Sequence, residues 1–181
     1  TIQFNYIMGD ELVNIKYRDG RKNFKLYKGA EKIFYNINSI VGYDWCVIVE
    51  GEMDALALHE AGIKNVVSVP NGATLNSNNL DYLDNCIDYF EDKEKVILAV
   101  DADEAGQALR YEFIRRLGAE VCYLVDFNGN KDANDFLIEH GEEELRKVIT
   151  QSTQVPLEGV STLRDLEADL LDFVHNGFKP G

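Results

Sequence analysis

Two short apolar runs, each ending in an acid and each followed at once by a helical pattern, constrain this chain more than any other feature. The first lies within Asp44–Leu58 (DWCVIVEGEMDALAL) and ends at Glu50, with Gly51 permitting a tight turn. The second, Lys95–Gly106 (KVILAVDADEAG), ends at Asp101 and Asp103. Runs this short and this rich in Val, Ile and Leu suit strands buried on both faces. Extended backbone sends residues i and i+2 to the same side, so Asp101 and Asp103 are expected to point together. Adjacent carboxylates repel unless a cation or a proton sits between them. As paired hard oxygen donors they suit Mg²⁺ or Mn²⁺. The alternative is that Asp103 caps the next helix while Asp101 is merely solvated. If the two strands are neighbours in a parallel sheet, Glu50 comes near the aspartate pair. That rim is the carboxyl edge, where open α/β sheets keep their ligands.

Strand and helix patterns alternate from Asp44 onward. Strands are expected at Cys46–Val49, Val66–Val69, Lys95–Val100 and Glu120–Val125. Helices are expected at Met53–Glu60, Asn78–Phe90, Asp103–Leu117 and Asp132–Thr150, the last broken at Gly141. This order predicts an α/β fold, a parallel sheet of about four strands with helices on both faces. Pro70–Ser77 (PNGATLNS) reads as a loop of turn formers able to approach a phosphate closely. Residues 1–43 read instead as a small antiparallel β-subdomain, with Glu11–Arg18, a turn at Asp19-Gly20, and a returning strand at Asn23–Tyr27. Residues 44–150 form the main domain. Residues 151–181 read as a polar linker and then an amphipathic helix, Ser161–His175. Its leucine stripe packs either on its own domain or on a neighbour.

Charge narrows the function classes. The net charge of −14 argues against a general nucleic-acid-binding surface. Residues 1–35, however, hold seven Lys or Arg against four acids, a net +3, which leaves −17 on the remainder. A basic segment beside an acidic body fits a polyanion handled at one place, with cations bridging to the acids. Lys16 and Arg18 fall on one strand face, and Lys22 and Lys25 flank the far side of the turn. Surface lysines also simply face solvent. Cys46, Cys86 and Cys122 are far apart and form no CxxC pair, so neither a zinc site nor a disulfide framework is expected. With no apolar stretch of spanning length, no membrane partner is expected and the cytoplasm is the expected compartment. No GxxxxGK[ST], GxGxxG or nucleophile elbow occurs. A receiver-type phosphoacceptor also gathers acids at strand ends. It wants its acid pair after the first strand, whereas here the pair follows the third and the later site is Lys131-Asp132.

The combination of Glu50-Gly51 after one strand and Asp101-x-Asp103 after another resembles a TOPRIM domain. The sequences EGEMDAL, VPNGAT, DADEAG and KDANDFL, in this order, are similar to the primase part of phage-type replicative primase–helicases and Twinkle-like helicases. The resemblance covers roughly residues 16–141. It implies that Glu50 is a general base or metal-linked acid, and that Asp101 and Asp103 bind metal. Asp54 and Asp132 would be further acids, with Asp54 equally suited to a supporting or capping role. It also places Lys16, Arg18, Lys22, Lys25 and Lys131 among the cations for the nucleotide and the template.

The activity so implied is that of a DNA primase, a nucleotidyltransferase making short RNA primers on single-stranded DNA with Mg²⁺ or Mn²⁺. A 3′-hydroxyl attacks an α-phosphate and pyrophosphate leaves, a displacement suited to two metal ions. Ribonucleoside triphosphates, a single-stranded template, a ring helicase and neighbouring subunits are the implied partners, in a phage or bacterial host cell. The chain reads as the TOPRIM core of a longer primase–helicase. A non-catalytic module that holds single-stranded DNA and a TOPRIM nuclease remain as alternatives.

Overall fold

The computed structural model describes residues 1–71 and 80–156. Three strands open the chain: β1 (Ile2–Met8), β2 (Glu11–Arg18) and β3 (Phe24–Leu26), paired antiparallel in the order β1-β2-β3. A second sheet holds β4 (Trp45–Val49), β5 (Val66–Ser68), β6 (Lys95–Leu98), β7 (Cys122–Leu124) and β8 (Thr153–Gln154), in the order β5-β4-β6-β7-β8. The first four run parallel, as the strand–helix alternation requires, and β8 joins antiparallel to β7. The helices are α1 (Glu52–Glu60), α2 (Asp81–Asp84), α3 (Glu104–Leu117), α4 (Ala133–His140) and α5 (Glu142–Thr150).

The sheet stands between two cores because its central strands, Lys95 apart, are apolar throughout. Along β4, Cys46 and Ile48 enter one core while Val47 and Val49 enter the other. Along β6, Val96 and Leu98 go to the first core and Ile97 to the second. This is the period of two expected for a strand covered on both sides. The second face is covered by α1, α4 and α5, through Leu58, Phe136, Leu145 and Ile149. The first face is covered by α3, through Leu109 and Phe113, and by the N-terminal sheet, through Phe4 and Tyr6. The small sheet therefore shares a core with the large one. An antiparallel bridge between Tyr35 and Ser68 fastens the connecting segment to the outer edge of β5.

Two expectations are corrected. Asn78–Phe90 is not one helix: from residue 80 on it holds the single turn α2 and a 3₁₀ turn, Ile87–Tyr89. Asn85, Asp84 and Asp88 are poor helix formers that compete for backbone hydrogen bonds. The break lets Leu83, Cys86 and Phe90 all reach the core. Nor is the segment after α5 wholly a linker, since Thr153–Gln154 forms β8, pairing with Tyr123 and Leu124. The expected helix Ser161–His175 and most of the loop Pro70–Ser77 lie outside the described residues. No helix among the described residues is long and apolar enough to cross a membrane.

Phe34 is the anchor of the first core. It is fully buried, with ring centroids 4.9 Å from Tyr82, 5.4 Å from Phe90 and 6.2 Å from Phe113. Phe34→Ala is expected to cost about 3–5 kcal/mol of stability, read as a lower urea midpoint with an unchanged slope.

Candidate functional site

The acids collect at the carboxyl ends of the parallel strands. Glu50 follows β4, Asp101 follows β6, and Asp132 stands at the start of α4, beyond β7. Asp54 comes in from the first turn of α1. One carboxylate oxygen each of Asp54, Asp101 and Asp132 lies within 4.8 Å of the others, a spacing that can hold a metal ion. Each is fixed locally. Asp54 Oδ1 accepts a hydrogen bond from the Asn134 backbone N–H (3.1 Å). Asp132 caps α4 by accepting from the Asp135 N–H (2.8 Å).

Burial and mutual repulsion leave a mark on these groups. Asp54 is pushed up to about 7, first by burial and then by the charge of Asp132. Burial also raises Asp101, although Lys131 opposes the shift from 2.8 Å away. Lys131 in turn is held above the ordinary lysine range by Asp101.

Glu50 reaches the same place by another route. Its Oε1 accepts from the Asp101 backbone N–H at 3.2 Å. Asp103 behaves differently: it caps α3, accepting from the Gly106 N–H at 2.9 Å, and is exposed. The i, i+2 expectation needs extended backbone through residue 103, but β6 ends at Leu98 and the chain bends at Ala102 and Asp103. Asp101 therefore meets Asp54 and Asp132, and Asp103 serves as the helix cap.

A cleft of about 480 Å³ opens over this rim, lined by the acids Glu50, Glu52, Asp54, Asp101 and Asp132 and by the cations Lys16, Arg18, Lys22 and Lys131. Phe24 lies between the cations, 4.9 Å from the Lys16 ammonium and 5.7 Å from the Arg18 guanidinium. Lys16 is not a solvated hairpin residue: it is buried, and its Nζ lies 2.7 Å from Glu52 Oε1. Lys25 does not reach the cleft. It pairs with Tyr17, in the register opposite to Lys16, and lies with Tyr17, Tyr27 and Lys28 elsewhere.

Residues 47–137 match the family described as Toprim-like. The chain belongs to the Toprim-like family. It is 38% identical over 174 residues to a "Primase homolog protein" of Arabidopsis thaliana, covering 87% of this chain and 52% of that protein. It is 34% identical over 182 residues to "Twinkle homolog protein, chloroplastic/mitochondrial" of the same plant, covering 91% of this chain and 26% of that protein. Among solved structures, the primase fragment of the bacteriophage T7 primase–helicase superposes with a TM-score of 0.71 at 26% identity. That match covers 81% of this chain and 61% of that one. This Toprim chain thus spans about half of the first plant relative and a quarter of the second.

Three residues of the Toprim site were not singled out from the sequence. Glu52 sits in the EGEMD run and would count as one more acid, but it is buried against Lys16 and Tyr6. Tyr6 looks like any core aromatic on an alternating strand. Gly106 is the third. A Cβ there would lie 2.2 Å from the Asp101 carbonyl and 2.7 Å from Glu50 Oε1, so backbone and carboxylate close over the glycine.

Gly106→Ala is expected to cost about 1–3 kcal/mol in urea unfolding, because the obstructing atom is backbone. A pH effect belongs to Asp54. The folded protein keeps its proton up to about pH 7, while the ordinary aspartate value is 3.8. The native state therefore binds more protons between those values, and stability falls as pH rises through that window. Asp54→Asn should flatten the fall, seen by comparing urea midpoints at about pH 4 and about pH 7.5.

Proposed function

We propose that this chain is the catalytic core of a DNA primase, joining ribonucleotides on a single-stranded DNA template. The observation that carries the reading is that Asp54, Asp101 and Asp132 meet in the cleft that Lys16, Arg18 and Lys22 also line. Carboxylates able to hold a divalent cation, in one cleft with lysine and arginine side chains, suit a triphosphate whose charge is compensated by both kinds of cation. The primase names of the relatives and the T7 primase fold support the same reading.

In this reading Asp101, Asp54 and Asp132 hold a divalent cation, with Glu50 and Asp103 at the margin of the set. Bound Mg²⁺ or Mn²⁺ would neutralise charge developing on the phosphates and lower the barrier to attack. Glu50 lines the cleft and is the group assigned to accept the proton of the attacking hydroxyl. The buried Asp101–Asp54 pair supplies rigid donors, since each carboxylate sits on a strand end or a first helical turn. Lys16, Arg18 and Lys22 take the triphosphate and the template strand, with Lys131 beside Asp101. Lys25, away from the cleft beside Tyr17 and Lys28, is assigned to the template strand. In the longer protein a ring helicase and neighbouring subunits complete the assembly.

The test is incorporation of labelled ribonucleotides on single-stranded DNA with Mg²⁺ or Mn²⁺. Asp101→Asn is expected to lower incorporation by about 10²-fold or more while leaving the fold intact by circular dichroism. Binding of single-stranded DNA without incorporation, unchanged by Asp101→Asn, would mark a non-catalytic module. Plasmid cleavage abolished by Glu50→Gln would mark a nuclease.

A further inference from the structure

The run Glu50–Asp54 carries three carboxylates, and two of them stand at the acid rim. Glu50 accepts from the Asp101 N–H, and Asp54 belongs to the cluster with Asp101 and Asp132. Glu52 lines the same cleft but is not one of that cluster. Its Oε1 accepts the Tyr6 hydroxyl hydrogen bond and lies 2.7 Å from Lys16 Nζ. Glu52 is 2% exposed, Tyr6 0% and Lys16 7%. Side chains from α1, β1 and β2 thus meet in one buried contact at the wall of the cleft.

A lone charge in such a place is costly, whereas an ion pair completed by a phenol is satisfied. A carboxylate engaged in this way is poorly placed to bind metal as well. The consequence falls on Lys16. Its ammonium has three donors, and Glu52 takes one of them. Phe24 lies 4.9 Å from the same nitrogen, and Lys16 lines the cleft. A lysine side chain ordinarily loses much rotamer freedom when it binds an anion. Here that freedom is already removed before any ligand arrives.

We infer that Glu52 is a positioning residue for Lys16 and lies outside the metal-binding set. It holds the Lys16 ammonium at the wall of the cleft. Through Tyr6 it also makes the seating of β1 and β2 on α1 part of the triphosphate site. The inference rests on the reading of the cleft as a nucleoside triphosphate site.

The experiment uses the full chain and two titrations. Fluorescent ribonucleoside triphosphate is titrated with Mg²⁺ present, and Mn²⁺ is titrated by calorimetry without nucleotide. Glu52→Gln is expected to weaken triphosphate binding about tenfold and to leave Mn²⁺ affinity within about twofold of the wild type. Tyr6→Phe removes only the hydroxyl and gives a smaller loss in the same direction, which keeps the test informative if the glutamine variant does not fold. In a Lys16→Met background, Glu52→Gln adds no further loss, because it acts only through Lys16. Additive losses in that double variant would overturn the inference. So would a fall in Mn²⁺ affinity matching that of Asp101→Asn, or triphosphate binding unchanged in both Glu52→Gln and Tyr6→Phe. A wild type that binds Mn²⁺ but no triphosphate overturns the triphosphate reading, and the role of Glu52 falls with it. A wild type that binds neither overturns the metal reading as well.

Discussion

Repulsion among carboxylates at one end of a parallel sheet is the constraint on which this molecule turns. Asp54, Asp101 and Asp132 stand close enough to share one cation, and two of them are largely shut away from water. Such a group of anions relaxes by spreading apart, by taking protons, or by gathering positive charge. Spreading is prevented because each acid is fastened to a strand end or a helix start, and those elements are locked by apolar packing on both faces of the sheet. The other two responses are both visible, in the raised Asp54 and in the Lys131–Asp101 ion pair.

The small N-terminal sheet has a double part in this. Phe4 and Tyr6 complete the core on one face of the large sheet, so the small sheet is seated by burial of apolar surface. The strand beside them carries Lys16 and Arg18 to the cleft that the acids also line. The meeting of the two charges in one cleft is therefore set by the packing of two sheets, and Gly106 lets Glu50 and the Asp101 backbone close tightly over it.

Much of this was legible in the residues. The runs Cys46–Val49 and Lys95–Val100 announced buried parallel strands, and Glu50 and Asp101 lie at their ends as expected, with the Glu50 carboxylate against the Asp101 backbone. Asp132 and Asp54 were legible only through family resemblance, because nothing local says that residues 54 and 132 meet. The same-side expectation for Asp103 depended on how far a strand extends, and strand ends are set by tertiary packing. Asp103 instead met the helix-cap alternative that its position before α3 also offered. The buried Lys16 escaped notice because a lysine on an alternating strand looks the same whether it faces water or a partner 36 residues away. The helix expected over Asn78–Phe90 gave way where core contacts at Cys86 and Phe90 outweighed helical periodicity.

The large sheet is finished at both margins. On one side Tyr35 closes the outer edge of β5 with a single bridge to Ser68. On the other, the two-residue β8 runs against the direction of its neighbours. Short or occupied margins offer an incoming strand almost no ladder to extend. Copies of this unit brought close together would then not fuse through their backbones at these margins. Association would be left to side-chain surfaces, which can be made and released repeatedly.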